Sequence, residues 1–344
     1  MLIYSMLSVT SAIHAAIYSV YYYRIRKRCW QVAEQLAIVV NQIIIFAILM
    51  AIGFIAAKLK AIPKDAFNAL SKLIVIVILP ALIFSIIADS GITVQDFLLN
   101  SSFAAGVALC YSLLILVGFS TSKLLRLEGK AANIFVSLAA FGNMGFMGIP
   151  LLLAVFNDPI TRVCISIYTV IDMAILWTLG VYLCSKHEES TSPLSSLKNM
   201  VNPTTVALLI GFLVMAFQIK LPDLLMSTIS GIGNTSKYLT LIYIGGVLAF
   251  IALGNIVKKP SIFILTLVKM LAMPLVAYII LGFFLPPVPR MILTLIVGLP
   301  GMTTIAMIAT EYKSDVEYAT EIIFVTTLAS LITIPLIFAL TSML

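Results

Sequence analysis

Runs of about 18 or more apolar residues recur along the whole chain, and no other feature restricts its fold so severely. In hydrocarbon only helices and closed barrels satisfy every backbone polar group, and runs of this length have the span of a helix. Composition agrees. Of the 344 residues, 62% are hydrophobic and only 10% charged, against about 25% charged in an ordinary soluble domain. The longest polar stretch, Lys186 to Lys198, is loop-sized and leaves no room for a sizeable soluble domain. The expected class is an all-α integral membrane protein, multi-pass in a lipid bilayer.

The net charge of +7 does not point to nucleic acid, because the basic residues lie between apolar runs rather than along one face. They read as topology signals. Cys29, Cys110, Cys164 and Cys184 are far apart with no C-x-x-C pair, which supports neither a disulfide framework nor a zinc site. His14 and His187 are peripheral, so no metal and no cofactor is expected.

Apolar runs read against polar breaks give ten spans, near 37–57, 69–88, 102–125, 131–155, 161–184, 203–218, 223–252, 261–284, 288–310 and 319–343. A loop over 185–202 separates a first set of five (37–184) from a second (203–344), with 1–36 as an N-terminal extension. The halves carry matching punctuation. Asn41 opens one and Pro63 follows its first span, as Asn202 and Pro222 do in the other. The fourth span of each is interrupted, at GNMGFMGIP and at GLPGMTT. Two similar halves with an odd number of spans face opposite ways across the membrane, which predicts two inverted five-helix repeats with broken fourth and ninth helices. In secondary transporters such interrupted segments mark the binding site.

Loop charges orient this scheme. With the first of the ten spans starting outside, Lys58, Lys60, Lys64, Lys123, Arg126, Lys130, Lys186, Lys198, Lys258, Lys259 and Lys313 lie inside, against Arg162, Lys220 and Arg290 outside. The positive-inside rule then makes the 185–202 loop cytoplasmic and both ends of the ten-span core extracytoplasmic. The extension fits less well: a span over MLIYSMLSVTSAIHAAIYSVYYY would leave RIRKR outside, so a surface helix or a misassigned start codon suits it better.

The breaks explain themselves poorly as helix. Gly142, Gly145, Gly148 and Pro150 would cost several kcal/mol there, at about 1 per glycine and about 3 for the proline. Broken backbone at membrane depth is tolerated only inside protein or beside a water-filled cavity, so both breaks belong in the centre. Pro150 is expected to end one half-helix and begin the next, and Pro300 to do the same in the other repeat. The positive ends of two half-helices would then approach the midplane, a site for an anion, especially a carboxylate. Gly145, Gly148, Gly298 and Gly301 would let backbones cross and approach a ligand. Asn143 offers a donor and an acceptor without a full charge, while Thr303 and Thr304 offer hydroxyls to ligand or to freed carbonyls. A kink with small-residue packing and interhelical hydrogen bonds is the bland alternative.

Asp172 falls mid-span in IYTVIDMAILWTLG, too deep to reach an interface, and a carboxylate there is expected to serve an ion-coupling role for a proton or sodium ion or to pair with a lysine such as Lys269.

At these residues the chain resembles the auxin efflux carrier family, which includes plant auxin exporters and bacterial permeases for malonate, malate and similar acids. The resemblance covers about residues 38–343. It rests on NQIIIFAILMAIGFIAAKLKAIPKDAFNALSKL leading into ILPALIFSIIA, on FGNMGFMGIPLLLAVF, on LWTLGVYL, and on LPGMTTIAMIATEYKSDVEYATEIIFVTTLASLITIPLIFAL. It implies a PIN-like, bile acid–sodium symporter-like fold, with a transport domain whose fourth and ninth helices cross at Pro150 and Pro300. A scaffold domain and a homodimer through it are also implied. Asn143 matches the family's binding asparagine, and Leu79, Pro80 and Ser85 match the second-helix segment beside the pocket. One departure bears on substrate: the family usually reads P-S-A-T-N after the ninth-helix break, where this chain has Pro300, Gly301, Met302, Thr303 and Thr304.

These observations together predict a secondary transporter of small organic anions in the cell membrane, with an anion channel or a non-transporting membrane sensor as the alternatives. An enzyme is disfavoured because H-E-x-x-H, G-x-S-x-G and P-loop motifs do not occur.

Overall fold

The computed structural model describes residues 33–34, 36–89, 93–156, 158–186, 203–250 and 256–343. Most of the expected extension over 1–36, with His14 and Cys29, and most of the loop over 185–202, with His187, lie outside them. Within the described residues the chain is helical, running α1 (Leu36–Lys58), α2 (Lys64–Ala88), α3 (Val94–Leu99), α4 (Ser101–Leu124), α5 (Gly129–Ala140), α6 (Met144–Val155) and α7 (Pro159–Ser185). It continues with α8 (Pro203–Ala216), α9 (Asp223–Asn234), α10 (Ser236–Leu248), α11 (Pro260–Leu281), α12 (Pro287–Val297), α13 (Thr303–Glu311) and α14 (Val316–Met343).

Six of these, α1, α2, α4, α7, α11 and α14, are long and apolar enough to cross a membrane; α6, α8 and α12 are apolar but shorter. At about 1.5 Å per residue the shortest of the six, with 22 residues, measures about 33 Å, enough for a hydrocarbon core of about 30 Å. Three expected spans are divided: 131–155 into α5 and α6, 288–310 into α12 and α13, and 223–252 into α9 and α10, which meet at Thr235. α1 shows why such helices need lipid. Ile44, Ile48, Ile52 and Ile55 form an exposed stripe, while Val39, Ile43, Phe46 and Met50 face the protein.

Proline shapes several helices without ending them. Single π-helical turns at Ile74–Ile78, Met144–Gly148 and Val268–Ala272 each stop two residues before a proline, Pro80, Pro150 and Pro274. A proline has no N–H for the carbonyl four residues back and its ring crowds that carbonyl; the wider turn absorbs both faults.

The helices pack in two groups. α8, α9 and α10 lie on α2, and α10 also meets α1 through glycines. A Cβ on Gly53 would fall 1.9 Å from the Ile242 carbonyl, one on Gly245 1.9 Å from the Met50 carbonyl, and one on Gly233 2.7 Å from the Leu82 Cα, so these backbones touch. The second group sets α4 against α5 and α7, α12 against α7, and α14 against α5, α11 and α12. At one end of this group Lys130 Nζ donates to the Lys313 carbonyl at 2.7 Å and Lys259 pairs with Glu321 at 2.6 Å. At the other end of α11, Arg290 Nε donates to the Tyr278 carbonyl.

Candidate substrate site

The two interrupted segments meet. Gly142 and Gly301 form an isolated antiparallel bridge, flanked by hydrogen bonds from Asn143 N to the Pro300 carbonyl (2.8 Å) and from Met302 N to the Phe141 carbonyl (3.2 Å). Backbone groups freed by one break are therefore satisfied by the other, as hydrocarbon demands. The glycine pair occupies the close, non-hydrogen-bonded position of an antiparallel ladder, where Cα atoms approach to about 4.5 Å. A Cβ on Gly142 would meet Leu299 Cβ at 3.1 Å and the Ile296 carbonyl at 3.2 Å; one on Gly301 would meet Leu138 at 3.1 Å. α14 supports the crossing from behind, where Thr326 Oγ1 accepts from Gly301 N at 3.0 Å.

Only one of the two prolines lies where the chain breaks. α5 ends as Phe141 turns extended (φ −95°, ψ 121°), and α6 starts at Met144, so Pro150 lies in its second turn, beyond the π-helical turn that accommodates it. Pro300 sits within the extended crossing and gives its carbonyl to Asn143, while the next helix begins at Thr303 after extended Met302. The crossing thus runs through Gly142 and Asn143 on one side and Pro300 to Met302 on the other, rather than through Pro150. Close approach needs glycine, whereas a proline's missing N–H can be absorbed within a helix.

Asn143 has the most unusual environment. Its main chain is fully engaged, with the carbonyl accepting from Met147 N (3.1 Å) and Gly148 N (3.0 Å). Its side chain is 1% exposed, and neither Oδ1 nor Nδ2 has a protein partner. Across the crossing Thr303 is also buried with its hydroxyl unpartnered, and Thr304 is buried beside it. Leaving such groups unmet costs about 1–3 kcal/mol each. Gly145 and Gly148 line the same turn. A Cβ on Gly145 would lie 3.4 Å from Leu79 Cδ1, and one on Gly148 2.7 Å from Leu299 Cδ1. Leu79 therefore stands beside the crossing, and α10 packs on the Met144–Gly148 turn, so the site lies where the two helix groups touch. Of the other α2 residues singled out, Pro80 is half-buried, and the buried Ser85 hydroxyl donates to the Leu82 carbonyl of its own helix.

Asp172 is buried in α7 and accepts a hydrogen bond from the Tyr111 hydroxyl, which lies 2.9 Å from that of Tyr168. The Tyr111 ring packs on Phe141 of the crossing, with centroids 5.7 Å apart. The expected ion pair with Lys269 is not formed; among the described residues the ion pair present is Lys259–Glu321. Lys269 Nζ instead donates to the carbonyls of Leu138 and Phe141, each at 2.7 Å. Spacing marked Asp172 as a deep charge and offered Lys269 as its candidate partner, but could not show that a tyrosine hydroxyl would engage the one and two carbonyls at the end of α5 the other. Tyr111, Tyr168 and Thr326 carried no signal beyond being polar residues within spans.

A family model described as a membrane transport protein matches residues 38–338, nearly the whole chain. The chain belongs to the auxin efflux carrier family of membrane transport proteins. No curated protein matches it. Membership in this transporter family makes the chain a multi-pass membrane transporter, and the family is not an enzymatic one.

Proposed function

We propose that this auxin efflux carrier family member is a secondary transporter that moves small organic anions, specifically carboxylates, across the cell membrane by alternating access. The observation that carries this reading is the orphaned amide of Asn143, wholly buried at the crossing of two broken segments. An amide there can both donate to a carboxylate and accept from its hydroxyl or amino substituents. The first turns of α6 and α13 supply further N–H groups and the positive ends of their dipoles, and the Thr303 hydroxyl lies across from Asn143. Gly145, Gly148, Pro300, Gly301, Thr304 and Leu79 shape the pocket, with Pro150, Pro80 and Ser85 in its second ring. Two inverted five-helix repeats supply the alternation, and the contact between the two helix groups is where one slides past the other. Asp172 carries the coupling ion, a proton or sodium ion, and a homodimer forms through the group containing α1, α2 and α8 to α10.

The test is carboxylate binding to purified protein in lipid nanodiscs. Asn143→Ala should weaken the affinity of the bound acid by about 1–3 kcal/mol while the protein stays folded. Unchanged affinity in the folded variant would remove Asn143 from the site. Saturable, stereoselective uptake into liposomes marks a carrier; ohmic single-channel current would make the broken helices a pore instead.

A further inference from the structure

Lys269 is the buried charge that the transport reading leaves unused. Its side chain is 1% exposed, and its amino group donates to the carbonyl of Leu138, in the last turn of α5, and to that of Phe141, the extended residue that follows the helix. The Phe141 carbonyl also accepts from Met302 N, so the ammonium is bonded directly to the crossing. Asn143 follows two residues later. With successive Cα atoms about 3.8 Å apart, its backbone lies within about 8 Å of Phe141.

The carbonyl end of a helix carries roughly half a negative charge, and α5 ends at Ala140, three residues before Asn143. Left uncovered, it would oppose the positive ends of α6 and α13. A neutral donor would satisfy the same two carbonyls with far less desolvation than a buried ammonium, so the fold retains a charge where capping alone does not need one. The buried carboxylate within electrostatic reach is Asp172, but it is engaged by Tyr111 rather than in contact with Lys269.

We propose that Lys269 is a positioning and selectivity residue of the crossing: by holding its amino group on the carbonyls of Leu138 and Phe141, two residues from Asn143, it makes the site choose a carboxylate over a neutral molecule of the same shape. This rests on the carboxylate reading above.

The experiment compares malonate, malate and succinate with their uncharged diamides, measuring affinities for the full-length protein in nanodiscs. Lys269→Gln keeps hydrogen-bond donors but removes the charge. The expected result is a loss of roughly tenfold or more in affinity for the acid that the unaltered protein binds, with amide affinity and Tm little changed. A lysine that only caps the helix predicts unchanged preference, with acid and amide affinities either both held or falling together; that outcome overturns the inference and leaves the carboxylate reading standing. An unaltered protein that prefers no acid over its diamide removes the carboxylate reading, and the inference with it. Should Lys269→Gln fail to fold because Asp172 is left without a countercharge, the double variant with Asp172→Asn removes both charges, and the same acid-to-amide ratio decides.

Discussion

Asn143 and Asp172 are both buried polar side chains within expected spans, yet their surroundings differ. Asn143 has its backbone N–H and carbonyl bonded and its side-chain amide without a protein partner, so its variable is occupancy by a ligand on the carboxylate reading proposed above. Asp172 already has a hydroxyl partner, so its variable is charge rather than occupancy. An ionised carboxylate at that depth is costly unless it binds a cation or a proton. Asp172→Asn keeps the shape and cannot ionise. The variant should still bind substrate and exchange it across liposome membranes, but should no longer accumulate it against a gradient of the coupling ion. Running the assay with a pH gradient and then a sodium gradient identifies that ion, and full accumulation by the variant under both would leave Asp172 as structure. Asn143 and Asp172 stand out in the sequence among apolar neighbours, whereas Lys269 enters it only as a candidate partner for Asp172. Their partners were not legible, because Tyr111 and the carbonyls of Leu138 and Phe141 come from segments 61 to 131 positions away, and no local pattern records such contacts.

At the scale of single elements, the interruptions in both halves could be read from glycine and proline, but their position was misplaced by about eight residues in the first half. Proline dominates propensity scales, so it attracts the boundary; the structure puts the boundary at glycine, where backbones must touch, and lets a π-helical turn absorb Pro150. Pro150→Ala should therefore leave the crossing intact, keep or raise Tm by removing a helix-breaking ring, and lower transport by tightening the turn that carries Gly145 and Gly148. A fall in Tm together with transport would mean that Pro150 serves packing alone. Gly142→Ala should do the opposite. Its methyl would press on Leu299 and the Ile296 carbonyl, and crowding of that kind costs about 1–3 kcal/mol, read as a lower Tm along with lost binding. The joint between α11 and α14 offers a control far from the site. Lys259→Met would strand Glu321, which is 1% exposed, and should destabilise the protein by about 1–3 kcal/mol; adding Glu321→Gln should recover much of it.

For the whole molecule, membrane class and family were legible because long apolar runs and the two interrupted motifs survive in a single chain. The division of the helices was not: α8, α9 and α10 reach α2 and α1 through glycine contacts between distant spans, and a lone glycine in an apolar run does not say which helix it will meet. Orientation is the property that sequence and structure bear on jointly. Eleven lysines and arginines fall in the loops assigned to the inside and three in those assigned to the outside. The contacts of Lys130 with Lys313 and of Lys259 with Glu321 gather inside-loop cations at one end of the molecule, whereas Arg290, an outside-loop cation, sits at the other end of α11. Gathering like charges at one end costs self-repulsion, which an anionic cytoplasmic leaflet offsets by about 1 kcal/mol per cation near the surface. The charged end should therefore face the cytoplasm. A cysteine substituted at Ser192 should react with an impermeant maleimide only in inside-out vesicles, and one at Ser342 only in intact cells. Labelling of both from the same side would require an even number of crossings between them, against the five that the inverted arrangement needs, and would overturn the two-repeat scheme while leaving the crossing of the broken segments in place.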